Sequence, residues 1–425
     1  MVILVFLSSM LGAIAFGMPI AFALMMASVA LMLLLDMFDA QILAQNLING
    51  ADSYPLLAVP FFLLAGELMN VGGLSKRIIN IAMDLIGHVR GGLGYVAILA
   101  AVILASLSGS AIADSAALAA VLLPMMKNAG YNENRSCGLI AAGGIIAPII
   151  PPSIGFIIFG VAGGVSITKL FMAGIVPGIL MGVSLLICWW YLCRKETIAV
   201  QPRKPASAVF KSLAVGAWAL MLPVIIIGGL RFGIFTPTEA GVVAAVYSLF
   251  VSVFIYHTVR WAELKYCFIS AAKTTSIVMF LVAAAMVVSW LVTIAELPDA
   301  LIALLDPFMH SQMLLIVVIL LMVLLVGMAL DAVPTILILT PVLMPVVKAG
   351  GVDPVYFGVL FIMCTSISLI LPPIGTVLVV VAGVGKAKVD GVILGSIPFI
   401  GALLCVLVML IIFPSLVTVP AAWFS

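Results

Sequence analysis

Residues 143–156 read GGIIAPIIPPSIGF, and residues 368–375 read SLILPPIG. Each stretch puts a Pro–Pro pair, Pro151-Pro152 or Pro372-Pro373, in the middle of a long apolar segment, 137–165 or 355–382. Each proline removes a backbone donor and disfavours helix at the residue before it, so both segments must break near their middles. Lipid offers the freed groups no hydrogen bonds. A break at membrane depth therefore has to line a cavity enclosed by protein.

The composition places these segments in a membrane. Of 425 residues, 65% are hydrophobic and 8% are charged, against roughly a quarter charged in a soluble domain. Eighteen basic and sixteen acidic residues leave a net charge of +2, too sparse for a nucleic-acid face. At about 20 apolar residues per crossing, the chain has room for roughly ten spans. The six cysteines lie inside apolar runs without C-x-x-C spacing, so neither a disulfide framework nor a zinc site is indicated. The apolar first 35 residues lack a basic leading segment and a cleavage site, and are expected to stay in the membrane domain as one helix or two.

Working outward from the breaks, the chain repeats itself. PMMKNAGY at 124–131 and PVVKAGGV at 345–352 stand 221 residues apart, and the same offset carries Pro151-Pro152 onto Pro372-Pro373, Gly174 onto Gly395 and Pro177 onto Pro398. The reading is a tandem duplication, with halves 1–193 and 212–425 and a polar cytoplasmic linker at 194–211. Each half is expected to hold three apolar helices (2–16, 19–35 and 55–71; 212–229, 237–256 and 274–295) and an amphipathic arm (74–87; 298–308). Two apolar segments around a polar tip follow (93–107 and 111–126; 313–327 and 333–347), then the broken segment and a last helix (170–193; 391–413). If the paired segments are re-entrant hairpins, five crossings remain per half, and the odd number inverts the second half. All basic residues except Lys169, Arg231 and Lys348 then fall on one side, which the positive-inside bias makes the cytoplasm. Both termini face the exterior. The expected fold is an all-α polytopic membrane protein of two inverted-topology repeats, with hairpin tips at 106–114 and 327–335 and helix breaks at 147–153 and 369–375.

Broken helices at matched positions of inverted repeats mark the binding site of a secondary transporter. Carbonyls freed at 146–153 and 369–375 suit a cation such as sodium, and half-helix amino ends suit an anion. The tips supply side chains: Ser106, Ser108, Ser110 and Asp114 in the first; Gly327, Asp331 and Thr335 in the second. A carboxylate in the bilayer is costly, which makes Asp114 and Asp331 functional candidates with a cation as partner. The alternative is that the hydroxyls bond their own helices and the aspartates cap helix ends. Glu239, just after Pro237, reads as a capping residue, and Glu67 as the partner of Lys76 or Arg77 in an interfacial salt bridge.

These residues resemble a known family. LAVPFFLLAGELMN at 57–70, ASLSGSAIADSAAL at 105–118, GGIIAPIIPPSIGF at 143–156, GIFTPTEAG at 233–241 and LILTPVLMPVVKAGG at 337–351 are similar to the large membrane subunit of tripartite ATP-independent periplasmic (TRAP) transporters, over essentially the entire chain. The resemblance implies an elevator-type, sodium-coupled importer in the bacterial inner membrane. Its implied partners are a small four-helix membrane subunit and a periplasmic binding protein that delivers an organic anion: a dicarboxylate, sialic acid or a sugar acid. It also implies sodium sites on the first tip with Gly143, Gly144 and Pro148, and on the second tip with Thr365, Ser366, Ser368 and Gly375. The implied substrate site lies near Ser108, Ser153 and Thr376. LDMFDAQILAQNLINGADSY at 35–54 and TTSIVMFLVAAAMVVSWLVTIAELP at 274–298 are most similar to large subunits of the 2,3-diketo-L-gulonate type. The second break departs from the family in having SLILPPIG, where relatives often carry a more polar residue before the prolines.

No organic cofactor is expected, with Na+ as the coupling ion. The chain has no G-x-x-x-x-G-K-[ST] loop, so ATP is not the expected driver. A membrane-embedded aspartic hydrolase using Asp114 and Asp331 as paired acids is the competing reading, and the expectation is that the chain is not an enzyme.

Overall fold

The computed structural model describes residues 2–194 and 202–423; residues 195–201 of the expected linker, Lys195 among them, lie outside the described residues. The described secondary structure is entirely helical. The first half contains α1 (Val2–Ala15), α2 (Ile20–Leu34), α3 (Ala40–Ala51), α4 (Ala58–Val71), α5 (Leu74–Ile86), α6 (Gly92–Ser108), α7 (Ala111–Asn128), α8 (Glu133–Gly144), α9 (Ile154–Gly163) and α10 (Ile167–Cys193). The second contains α11 (Ala206–Arg231), α12 (Pro237–Phe250), α13 (Trp261–Ile294), α14 (Leu297–Leu305), α15 (Gln312–Gly327), α16 (Ala332–Ala349), α17 (Pro354–Ser368), α18 (Thr376–Gly385), α19 (Val389–Ile412) and α20 (Ser415–Trp423).

Local chemistry sets many of the boundaries. The Thr236 hydroxyl accepts from the Glu239 backbone N–H while the Glu239 carboxylate accepts from the Thr236 N–H, a capping box that starts α12. Glu239 therefore has the structural role read from its position. Gly91, with φ +76°, turns the chain between the amphipathic α5 and α6. The first apolar stretch is two helices, separated by the turn before Pro19. α11 begins at Ala206, so the last six residues of the expected linker are helical.

An offset of 221 carries α7 onto α16, α8 and α9 onto α17 and α18, and α10 onto α19. It also carries α3 and α4 onto the two ends of the single helix α13, which begins earlier than the expected 274. The difference lies in the join. Asp52, Ser53, Tyr54 and Pro55 become Lys273, Thr274, Thr275 and Ser276; Pro55 cannot continue a helix interior, and Ser276 can.

The helices pack as two bodies. In one, α13 lies on α2, α3 and α4, α12 on α4, and α11 on α5. In the other, α19 lies on α8 and α10, α18 on α7, α16 on α9, and α15 on α17. The amphipathic helices bridge them, α5 against α6 and α14 against α16. Among the described residues, seven helical segments are long and apolar enough to cross a membrane by length and composition. They include α16, one arm of a hairpin, whereas α8, α9, α17 and α18 are individually too short and meet end to end at the breaks.

Candidate functional site

The first tip turns in two residues. α6 ends at Ser108, Gly109 takes φ +62°, and Ser110 caps α7 by accepting from the Ala113 N–H at 3.4 Å. Gly109 lies directly on the first break: a Cβ there would come within 2.6 Å of the Pro152 carbonyl oxygen. The Ser108 hydroxyl donates to Asp114 Oδ1 at 2.5 Å and accepts from the Ser110 N–H at 3.1 Å. Asp114 is 2% exposed, and its other oxygen has no partner. The Ser106 hydroxyl donates to the Ile103 carbonyl. On α8, Gly144 lies against the Ser115 hydroxyl and Gly143 against Ala101 of α6. In the break, the Ser153 hydroxyl donates to the Pro148 carbonyl at 2.5 Å and accepts from the Phe156 N–H, starting α9.

The second tip is built differently. Asp331 occupies the cap position of α16 without a side-chain capping bond. The Thr335 hydroxyl donates to the Asp331 backbone carbonyl at 2.8 Å. Gly327 packs on α17, where a Cβ would clash with Ser368 Oγ. Thr365, Ser366 and Ser368 all donate to carbonyls of their own helix. Gly375, with φ +52°, begins α18, and the Thr376 hydroxyl is buried without a partner. The first break is buried throughout, whereas Pro372, Pro373 and Ile374 of the second are exposed.

Both tips meet at one cavity of about 910 Å³. Of the residues picked from sequence, Ser110, Pro148, Asp331, Thr365 and Ser366 are on its wall. Ser106, Ser108, Asp114, Gly143, Gly144, Gly327, Thr335, Ser368 and Gly375 do not line it. Ser108 and Ser153 are turned inward to Asp114 and to the Pro148 carbonyl, and Thr376 is also off the wall; Gly109, Ile154 and Gly155 take their place. The opposite wall comes from the other body: Pro19–Phe22, Leu63, Thr274, 276–278, Phe280 and Leu281. Nothing in the sequence singles these out, because they look like ordinary residues of lipid-facing spans.

Asp114 and Asp331 are not built as an acid pair, since one is tied behind the wall by Ser108 and the other stands on it. Glu67 corrects an expectation. Its carboxylate accepts from Ser270 of α13 at 2.8 Å, while Arg77 stacks 3.6 Å from the Tyr256 ring centroid and donates to the Gly72 and Gly73 carbonyls. Helix α13 passes closer to Glu67 than either expected cation does.

The model of the tripartite ATP-independent periplasmic transporter, DctM component, matches residues 7–416. The chain belongs to that family. It is 57% identical over 425 residues, the full length of both chains, to the 2,3-diketo-L-gulonate TRAP transporter large permease protein YiaN of Escherichia coli (strain K12). It is 36% identical over 404 residues, 95% of each chain, to the sialic acid TRAP transporter large permease protein SiaM of Vibrio cholerae. With the C4-dicarboxylate TRAP transporter large permease protein DctM of Pseudomonas aeruginosa it shares 34% identity over 373 residues, 88% of this chain and 87% of that one. The Alcanivorax borkumensis YdaH transporter has a similar fold at TM-score 0.65 and 15% identity, covering 91% of this chain and 90% of that one. This TRAP family member is thus a multi-pass transporter permease of the bacterial inner membrane and not an enzyme.

Proposed function

We propose that this TRAP large subunit imports a small organic anion on a sodium gradient by an elevator motion. The observation that carries the reading is the convergence of both tips and the Pro148 break on one cavity whose far wall belongs to the other helical body. A substrate held there travels with one body against the other. The cavity's far wall uses the start of α2 and, from α13, Thr274, 276–278, Phe280 and Leu281, close to Lys265 and Lys273. On the topology set by the basic residues, with both termini periplasmic, these lie in the cytoplasmic half, which supports an inward-facing state. A sugar acid such as 2,3-diketo-L-gulonate is the favoured substrate, from the likeness to YiaN; sialic acid and C4-dicarboxylates are the anions in the names of more distant relatives. The partners are a small four-helix membrane subunit and a periplasmic binding protein.

Sodium sits between each tip and its break, at the Ser108–Asp114 end and at the Asp331, Thr365 and Ser366 end. Each sodium charge contributes about 2.3 kcal/mol per 100 mV of membrane potential. Proteoliposomes holding the chain with both partners test the reading through uptake of labelled 2,3-diketo-L-gulonate. We expect uptake to collapse when choline replaces external sodium; equal uptake in both salts overturns sodium coupling.

A further inference from the structure

Four of the five hydroxyls on the cavity wall offer lone pairs rather than protons, Ser110, which accepts from the Ala113 N–H, being the exception. The Thr365 and Ser366 hydroxyls donate to the Ile362 carbonyl at 2.9 and 2.7 Å, and those of Thr274 and Ser276 to the carbonyls four residues earlier at 3.1 and 2.8 Å. A hydroxyl whose proton lies on its own helix presents acceptors elsewhere. Among the described residues of the wall there is no Lys, Arg or His, and Asp331 is the single charged side chain. The donors open to an anion are therefore the Ser110 O–H and backbone N–H groups at the starts of α7 and α16.

At those two starts the repeats differ. The offset of 221 pairs Asp331 with Ser110. Ser110 is neutral and caps its helix, whereas Asp331 holds the same position with its carboxylate uncommitted to capping. A fixed negative group thus stands beside the donors that a substrate carboxylate needs.

We propose that Asp331 is a charge gate: ionised, it bars an organic anion from the start of α16, and a sodium ion on its carboxylate lifts the bar, so the anion seats only after the cation. This rests on the sodium-coupled reading above and adds to it the order of binding and the residue that enforces it. The neutral Ser110 leaves the α7 start without such a condition. Asp114 does not serve, because it lies behind the wall and is engaged by Ser108.

The test compares wild type, Asp331→Asn and Asp331→Ser in proteoliposomes with both partners. Exchange of labelled 2,3-diketo-L-gulonate is measured in NaCl and in choline chloride, and thermal stability of each purified chain in the same salts. Wild-type exchange should collapse in choline. Exchange by Asp331→Asn in choline should exceed wild type by about ten-fold, within the range of ordinary site–site couplings, and sodium should stabilise that variant less. Asp331→Ser restores the cap chemistry of the first tip and gives the same reading if the asparagine variant does not fold. Variants as sodium-dependent as wild type overturn the gate and leave sodium coupling standing, and so do variants that are folded yet inactive in both salts. Wild-type exchange that is equal in the two salts overturns sodium coupling, and the gate with it.

Discussion

Gly109 and Gly130 both have positive φ, +62° and +82°, but only Gly109 is crowded. A Cβ at Gly109 would meet the Pro152 carbonyl oxygen, whereas one at Gly130 would meet nothing within 4 Å. Alanine in the left-handed region costs about 1 kcal/mol by itself. Gly130→Ala is therefore expected to lose about that much stability and to keep full uptake. Gly109→Ala adds a backbone clash that pushes the first tip off its break, and uptake should fall at least about ten-fold, because every group the tip aims at the cavity is misplaced. Thermal unfolding and proteoliposome uptake of the two variants check this, and equal uptake would show that the tip tolerates displacement. At this scale the sequence pointed to the tip serines and aspartates by their cost in lipid. It did not show which of them face the cavity. Ser108 turns away because Gly109 folds it back over Asp114, a contact between residues six apart that no helical periodicity reveals.

The amphipathic helix α5 lies outside the spanning segments and carries one acid that is held from elsewhere. The Lys204 ammonium and the Ser212 hydroxyl both donate to the buried Asp84 carboxylate, tying the arm to the linker and the start of α11. Burial pushes the Asp84 carboxyl up, but the hydrogen bonds from Lys204 and Ser212 and the Lys204 charge outweigh it, so the group titrates below its ordinary value. A carboxylate lowered in the folded state stabilises the fold above its unfolded pKa, about 3.9, and loses that contribution as pH falls through the folded value. Lys204→Met should therefore melt below wild type at neutral pH, and the gap should close in more acidic solution than about pH 4. Melting curves against pH decide it, and identical curves at neutral pH would show that the tie contributes nothing. Among elements, the hairpins and the broken helices were legible because proline and glycine punctuate them. Helix α3 was not, since the expected helices 19–35 and 55–71 left the stretch between them, with Asp36, Asp39 and Asp52, without an element. Asp39 in fact caps α3, accepting from the Gln41 N–H at 2.7 Å. An N-cap ahead of an amphipathic run was the available signal.

For the whole molecule, the sequence carried the duplication through its 221-residue offset, but it could not show how the halves share out their helices. Each body takes elements from both halves, so the boundary between bodies crosses the boundary between repeats. Across that boundary, Gly66 of α4 faces the first tip: a Cβ at Gly66 would lie 3.7 Å from the Ser108 Cβ. That separation falls within the span of a disulfide, about 3.5–4.5 Å between Cβ atoms. In a chain whose native cysteines are replaced, Gly66→Cys with Ser108→Cys should cross-link under mild oxidation and fasten one body to the other. If transport needs the bodies to slide, oxidation stops uptake and a reductant restores it to the level of the unoxidised variant. The rate of cross-linking, read by gel mobility, supplies an independent measure. It should differ between NaCl with substrate and choline without, because the two residues separate whenever the tip leaves α4. A molecule that moved its substrate without relative motion of the bodies would cross-link at one rate in both conditions and go on transporting while cross-linked.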